Sequence, residues 1–280
     1  MATPVWTGAT DGNVGTAANY SPAAAPAAGD EFRINGTSTR DLDTNMAALT
    51  AVTVDKCGVH ATAGMKIGAA GTPFDISATR LYYAGRGAWA YFTGTYANVI
   101  CATQKKDVSS FNVAGTITIL DAKQGWCGVT NGAALTTAHV THQGARQTDV
   151  ILYVGTSVTG FTTANVNGGV LDLNSSLTTL NNTGGKTILR AGTLTTANIS
   201  AGAVEFRGGT ITTANVYDGA VLDTGPSGDI LTLTTINMFE GSVIRLRRGV
   251  IFGSAITLNW RGQPRVLDID ESIAVTLNLN

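Results

Sequence analysis

Apolar and polar residues alternate in short runs along the second half of the chain, with a period of two. In Val204-Glu205-Phe206 and in Ile244-Arg245-Leu246-Arg247 the apolar side chains fall on one face and the charged ones on the other. Leu171 and Leu173 flank Asp172 in the same way. Such alternation predicts strands with one buried face. No window sustains apolar residues at i, i+3, i+4 and i+7, so helical repeats fit poorly. Gly-containing turns such as Ser200-Ala201-Gly202 and Phe239-Glu240-Gly241 precede these runs.

A six-residue phrase recurs in the same region. It begins at Leu135, Phe161, Leu177, Leu194, Ile211 and Leu233 and reads, at Leu194, Leu-Thr-Thr-Ala-Asn-Ile. Self-similarity at about this period marks a solenoid in which each repeat is one coil. Thr, Val and Ile favour extended backbone because branching at Cβ suits a pleated surface. A coil of this length holds two or three short strands, and parallel strands of successive coils lie roughly 4.8 Å apart. Equivalent side chains then stack. The expected fold is therefore all-β: a single-stranded parallel β-helix of roughly ten to twelve coils, about 50 Å long. The absence of a strict hexapeptide repeat favours a right-handed form.

Stacking gives the Asn of the phrase a purpose. Asn165, Asn181, Asn198, Asn215 and Asn237 fall in register, and stacked amides can bond along the axis as a ladder. His139 occupies the same place in the first phrase and should end the ladder. The first and last apolar residues of the phrase are an odd number apart, so the phrase must bend if both face inward. The Ala-Asn step is the expected corner. The segment Gly225–Asp229 reads as a turn-forming insertion at another corner.

Composition narrows the function classes. Charged residues make up 13% of the chain and the net charge is −1, which gives no broad pull toward nucleic acid or anionic membrane. No apolar run is long enough for a transmembrane helix, and the N-terminus lacks the pattern of a secretory signal. The three cysteines, Cys57, Cys101 and Cys127, form no CxxC pair and read as small buried hydrophobes.

Residues 1–36 read differently from residues 37–280. Pro4, Pro22 and Pro26 lie in the first segment, and Ser21–Asp30 cannot be a regular strand or a long helix. The segment is expected to be an arm or cap on a solenoid formed by the rest, since an open solenoid end exposes strand edges. Its opening, Trp6-Thr7-Gly8, followed by Ala18-Asn19-Tyr20 and Pro26-Ala-Ala-Gly29-Asp30, resembles the starts of β-helical passenger segments in autotransporter-like bacterial surface proteins. Tyr20 stands where those have a second Trp. A compact β-helix without export signals also resembles the β-helical decoration (cement) proteins of tailed-phage capsids, which commonly assemble as trimers.

Candidate chemistry is sparse. Asp268 and Asp270 share a strand face, and Asp218, Asp223 and Asp229 belong to one coil region, but solvated faces and turn chemistry account for them better than catalysis or a cation site. His139 and His142 point to opposite faces of a strand and would not chelate one metal. No GxxxxGK[ST], GxSxG or HExxH occurs. No cofactor or metal is expected. Two groups could mediate recognition. Trp6, Tyr20 and Phe32 are candidate anchors to a capsid lattice or a neighbouring subunit. Arg245, Arg247, Arg248, Arg261 and Arg265 form a secondary candidate interface. A third feature, the aromatic run Tyr82, Tyr83, Trp89, Tyr91, Phe92 and Tyr96, could pack a core, make a sugar platform or form a subunit interface. The resemblance implies a non-enzymatic virion protein, made in the host cytoplasm, that binds the major capsid protein and associates with itself as a homotrimer, without nucleic-acid or membrane partners. A polysaccharide-binding or -cleaving phage tailspike and a bacterial surface adhesin fragment are the alternatives.

Overall fold

The computed structural model describes residues 1–35, 40–60, 64–85, 89–103, 111–130, 132–141, 150–224, 230–247, 251–252 and 254–279. The insertion Gly225–Asp229, His142 and Arg248 lie outside the described residues. The strands form one continuous sheet that winds through about ten turns, a β-solenoid. Successive coils pair in parallel. The strand Leu177–Leu189 pairs with Thr193–Phe206, and that strand with Gly209–Val216 and Val221–Asp223.

The repeat phrase sets the cross-section. Leu177, Leu194, Ile211 and Leu233 form one inward column, and Leu180, Ala197, Ala214 and Ile236 form the next. Between them the register skips Thr178, Thr195, Thr212 and Thr234, which are exposed. The corner therefore lies at the first Thr of the phrase, which corrects the expectation that placed it at Ala-Asn. Ala197 and Ile199 are both buried with Asn198 between them, so the backbone there is straight and Asn198 faces outward. At one such corner the Thr162 hydroxyl donates to the Thr136 carbonyl of the previous coil at 2.9 Å. The second strand of each coil follows the predicted alternation. Leu171, Leu173, Val204, Phe206, Ile244 and Leu246 are inside, while Asp172, Glu205 and Arg245 face out.

Other corners need glycine. Gly209 has φ +87°, and a Cβ there would sit 2.3 Å from the Gly192 carbonyl of the coil before. Both a left-handed backbone and close stacking of turns thus exclude a side chain.

The N-terminal segment is part of this stack. The strand Val5–Trp6 pairs in parallel with Glu31–Ile34, which pairs with Thr53–Val59. The same short strand pairs antiparallel with Tyr20–Ser21, so the segment folds back over the first coil as a cap. At the other end, Val275–Leu279 pairs with Ile256–Trp260. Leu277 continues the column of Ile236 and Leu258 but is 49% exposed, and Leu279 is 73% exposed. No described strand covers that edge.

Candidate functional site

The most regular surface feature is the Asn column. The Asn181 Nδ2 donates to Asn165 Oδ1 at 3.0 Å, Asn198 to Asn181 at 3.0 Å, Asn215 to Asn198 at 2.8 Å and Asn237 to Asn215 at 2.6 Å. The predicted ladder is present, and it extends two steps further. Asn259 donates to Asn237 at 2.8 Å and Asn278 to Asn259 at 3.0 Å. These two were missed because their surroundings, Leu258-Asn-Trp260 and Leu277-Asn-Leu279, lack the Thr-Thr of the phrase. Each Nδ2 points to the coil before, so the amide dipoles align along the rod. Asn165 Nδ2 meets His139 Nδ1 at 3.2 Å, and since Asn165 Oδ1 already accepts from Asn181, the imidazole nitrogen is the acceptor.

A second Asn in the phrase at Leu177 has a different job. Asn182 occupies the inward column between Val166 and Ile199 and is fully buried. Its Nδ2 donates to the Ala203 carbonyl at 2.9 Å, and its Oδ1 accepts from the Gly185 N–H at 3.1 Å. A buried amide with both ends engaged ties a turn across two coils.

The charged column of the second strand is a chain of ion pairs. Arg190 forks onto Asp172 at 2.7 and 3.1 Å, Lys186 meets Glu205 at 2.6 Å, and Arg207 Nε donates to Glu205 at 2.6 Å. Burial raises the Glu205 carboxyl, but hydrogen bonds from Lys186 and Arg207 outweigh it and hold the group below its ordinary value. Arg247 forks onto Asp223 at 2.8 and 2.7 Å, which raises its guanidinium further. Arg245 lies in register between Asp223 and Asp268. The C-terminal arginines are therefore not a free cationic patch: Arg247 is exposed but paired with Asp223, Arg245 sits among carboxylates, and Arg261 and Arg265 are exposed. Asp268 and Asp270 do not converge either, since Asp270 caps its own turn by accepting from the Ser272 N–H at 3.0 Å. Among the described residues no group of three or more His, Cys, Asp or Glu could hold a metal ion.

The aromatic anchors require the clearest correction. Trp6 is 0%, Tyr20 3% and Phe32 0% exposed. Trp6 meets Tyr20 edge-on at 5.4 Å and Tyr20 meets Phe32 at 5.9 Å, and the contacts continue through Phe74 and Phe92 to Phe111. These rings bury more area here than a docking contact would offer, so the core claims them. The polar residues of the same motif secure the cap. Asn19 accepts from the Thr10 and Asp11 N–H groups at 2.8 and 3.1 Å and donates to Asp11 Oδ1 at 2.6 Å. Asp30 accepts from the Ala2 N–H at 2.7 Å and the Ala27 N–H at 3.1 Å, bonds that hold its carboxyl below the usual range. The Trp-Thr-Gly, Ala-Asn-Tyr and Gly-Asp elements are thus parts of one lid.

Of the aromatic run further on, Tyr83, Phe92 and Tyr96 are in the core, Tyr82 and Tyr91 are half-buried and Trp89 is exposed. Tyr82 borders an open groove of about 620 Å³ on the outer face of the early coils, together with Arg33, Lys56, Gly58, His60 and Arg80. The buried thiols do no visible chemistry: Cys57, Cys101 and Cys127 are free, and burial pushes Cys57 up to about 12. Comparison of the chain with protein-family models, with curated proteins and with solved structures finds no match.

Proposed function

We propose that this protein is a non-enzymatic structural component of a virion, a decoration protein that binds the major capsid protein, made in the host cytoplasm and displayed on the capsid surface as a homotrimer. The supporting observation is how the polar side chains are spent. The carboxylates Asp11, Asp30, Asp172, Glu205 and Asp223 are engaged in caps or ion pairs, and the outer Asn column is bonded to itself. Side chains committed this way stiffen a rod, and these five carboxylates are held by structural partners and not set as a pair to act on a substrate. With Trp6, Tyr20 and Phe32 in the core, the exposed Arg261 and Arg265 become the better candidates for attachment.

Cryo-electron microscopy of virions from cells carrying this sequence tests the reading. Rod-shaped density on the head at symmetry-related sites is expected. Density at the tail, together with depolymerisation of a host glycan by the purified chain, would replace it with the tailspike reading. Display on the bacterial surface without virions would favour the adhesin.

A further inference from the structure

We propose that the groove on the early coils binds an acidic polysaccharide, with Lys56 and Arg80 taking its anionic groups and Tyr82 packing against a sugar ring. This goes beyond the decoration role and does not depend on it.

Three observations carry the proposal. The first is charge. Lys56 and Arg80 are register partners on adjacent strands, both exposed, and among the described residues neither has an ion-pair partner. Glu31, the register partner of Lys56 on the other side, is held by Arg33 at 3.0 Å. Like charges opposite one another weaken strand pairing. In the later coils Arg190 is set against Asp172 and Arg247 against Asp223, and where like charges do meet in register, at Glu205 and Asp223, each carboxylate has a cationic partner. Two unpaired cations in register are explained by a ligand that brings the anions.

The second observation is Gly58, in the middle of the strand Thr53–Val59. Its φ is not positive, and a Cβ there would meet only the Phe32 carbonyl, at 4.0 Å. Neither backbone nor packing calls for glycine, and glycine inside a strand weakens it. What the missing side chain does provide is a floor between its register partners Arg33 and Tyr82. Interior strand glycines mark a bulge, a bend or a close approach; register runs unbroken through Gly58 and no other backbone crowds it, which leaves close approach by a ligand.

The third is the wall. The Tyr82 ring is half-buried and lies 5.5 Å from the His60 ring, which gives the groove a fixed aromatic side. An aromatic face beside a few convergent polar groups suits a ring with apolar C–H faces and charged substituents. A nucleic acid fits less well, because phosphate-backbone recognition draws on a broad basic surface and this chain carries a net charge of −1.

Titration calorimetry on the full chain tests this with five probes: oligogalacturonate, a dextran sulfate oligomer, neutral dextran of equal length, inorganic phosphate and single-stranded DNA. Saturable binding of the carboxylated or the sulfated oligomer is expected, the tighter of the two naming the acid, with neutral dextran and phosphate binding at least about tenfold more weakly. Replacing Lys56 and Arg80 together by Ala should weaken that binding by about tenfold or more. Gly58→Val should abolish it while leaving the thermal midpoint equal or higher, which separates a filled groove from a damaged fold. The proposal fails if neither acidic oligomer binds, if phosphate alone binds as tightly, if DNA binds more tightly, or if the variants bind like the parent.

Discussion

The two halves of the rod use the same position in opposite ways. One outward column runs from Arg33 through Gly58, Tyr82, Ile100, Asp121 and His139 to the Asn series ending at Asn278. From Asn165 onward every member is the same residue, and the column closes on itself as a ladder. Before His139 no two neighbours match, so no ladder forms, and the column from Arg33 to Ile100 lines the groove instead. The interiors differ in parallel. The early coils are filled by linked aromatic rings, while the late coils are filled mainly by Leu, Ile, Val and Ala. Repetition makes a scaffold, and departure from repetition makes room for recognition.

The contrast can be broken at its aromatic end first. Trp6→Ala should lower unfolding stability by about 3–5 kcal/mol in chemical denaturation, the range for emptying a large core site. A change near zero would return Trp6 to the surface and revive it as an anchor. Next comes the buried amide: Asn182→Ala should cost about 1–3 kcal/mol, because the Gly185 N–H and Ala203 carbonyl lose their partner. Asn198→Ala, which removes two ladder bonds on a half-exposed face, should cost about 1 kcal/mol.

The ionic column predicts a pH effect. The folded-state carboxyl of Glu205 is lowered, so its contribution is present above the ordinary glutamate range and is lost as pH falls through the lowered value. Glu205→Gln should flatten that part of an acid-unfolding curve, and a curve of unchanged slope would count against the pairing. The smallest effect expected is a gain. His139→Asn places an amide beside Asp121 and under Asn165, extending the ladder by one link, and should raise the thermal midpoint slightly.

Much of this was legible in the sequence where residues repeat. The phrase spacing predicts the coils, and the shared Asn predicts the ladder, because stacking turns a repeated letter into a repeated contact. The corner at Thr195 was misplaced because parity shows only that a bend exists between Leu194 and Ile199, and not which peptide makes it. A Pro-rich segment with few charges looks extended in sequence, which makes Trp6, Tyr20 and Phe32 look like anchors. Only the pairing of Val5–Trp6 with Glu31–Ile34 shows it to be a lid. The groove was not legible, since Lys56 and Arg80 stand 24 positions apart in the chain and only the winding brings them into register.

The Asn column is a coupled ladder and not a row of independent turn residues. A double-mutant cycle between Asn198→Ala and Asn215→Ala measures that coupling directly. We expect an interaction of at least about 0.5 kcal/mol, against additivity within about 0.3–0.5 kcal/mol for the distant pair Asn165 and Asn259. Additive losses for the neighbouring pair as well would contradict the ladder and with it the distinction drawn between the two halves of the rod.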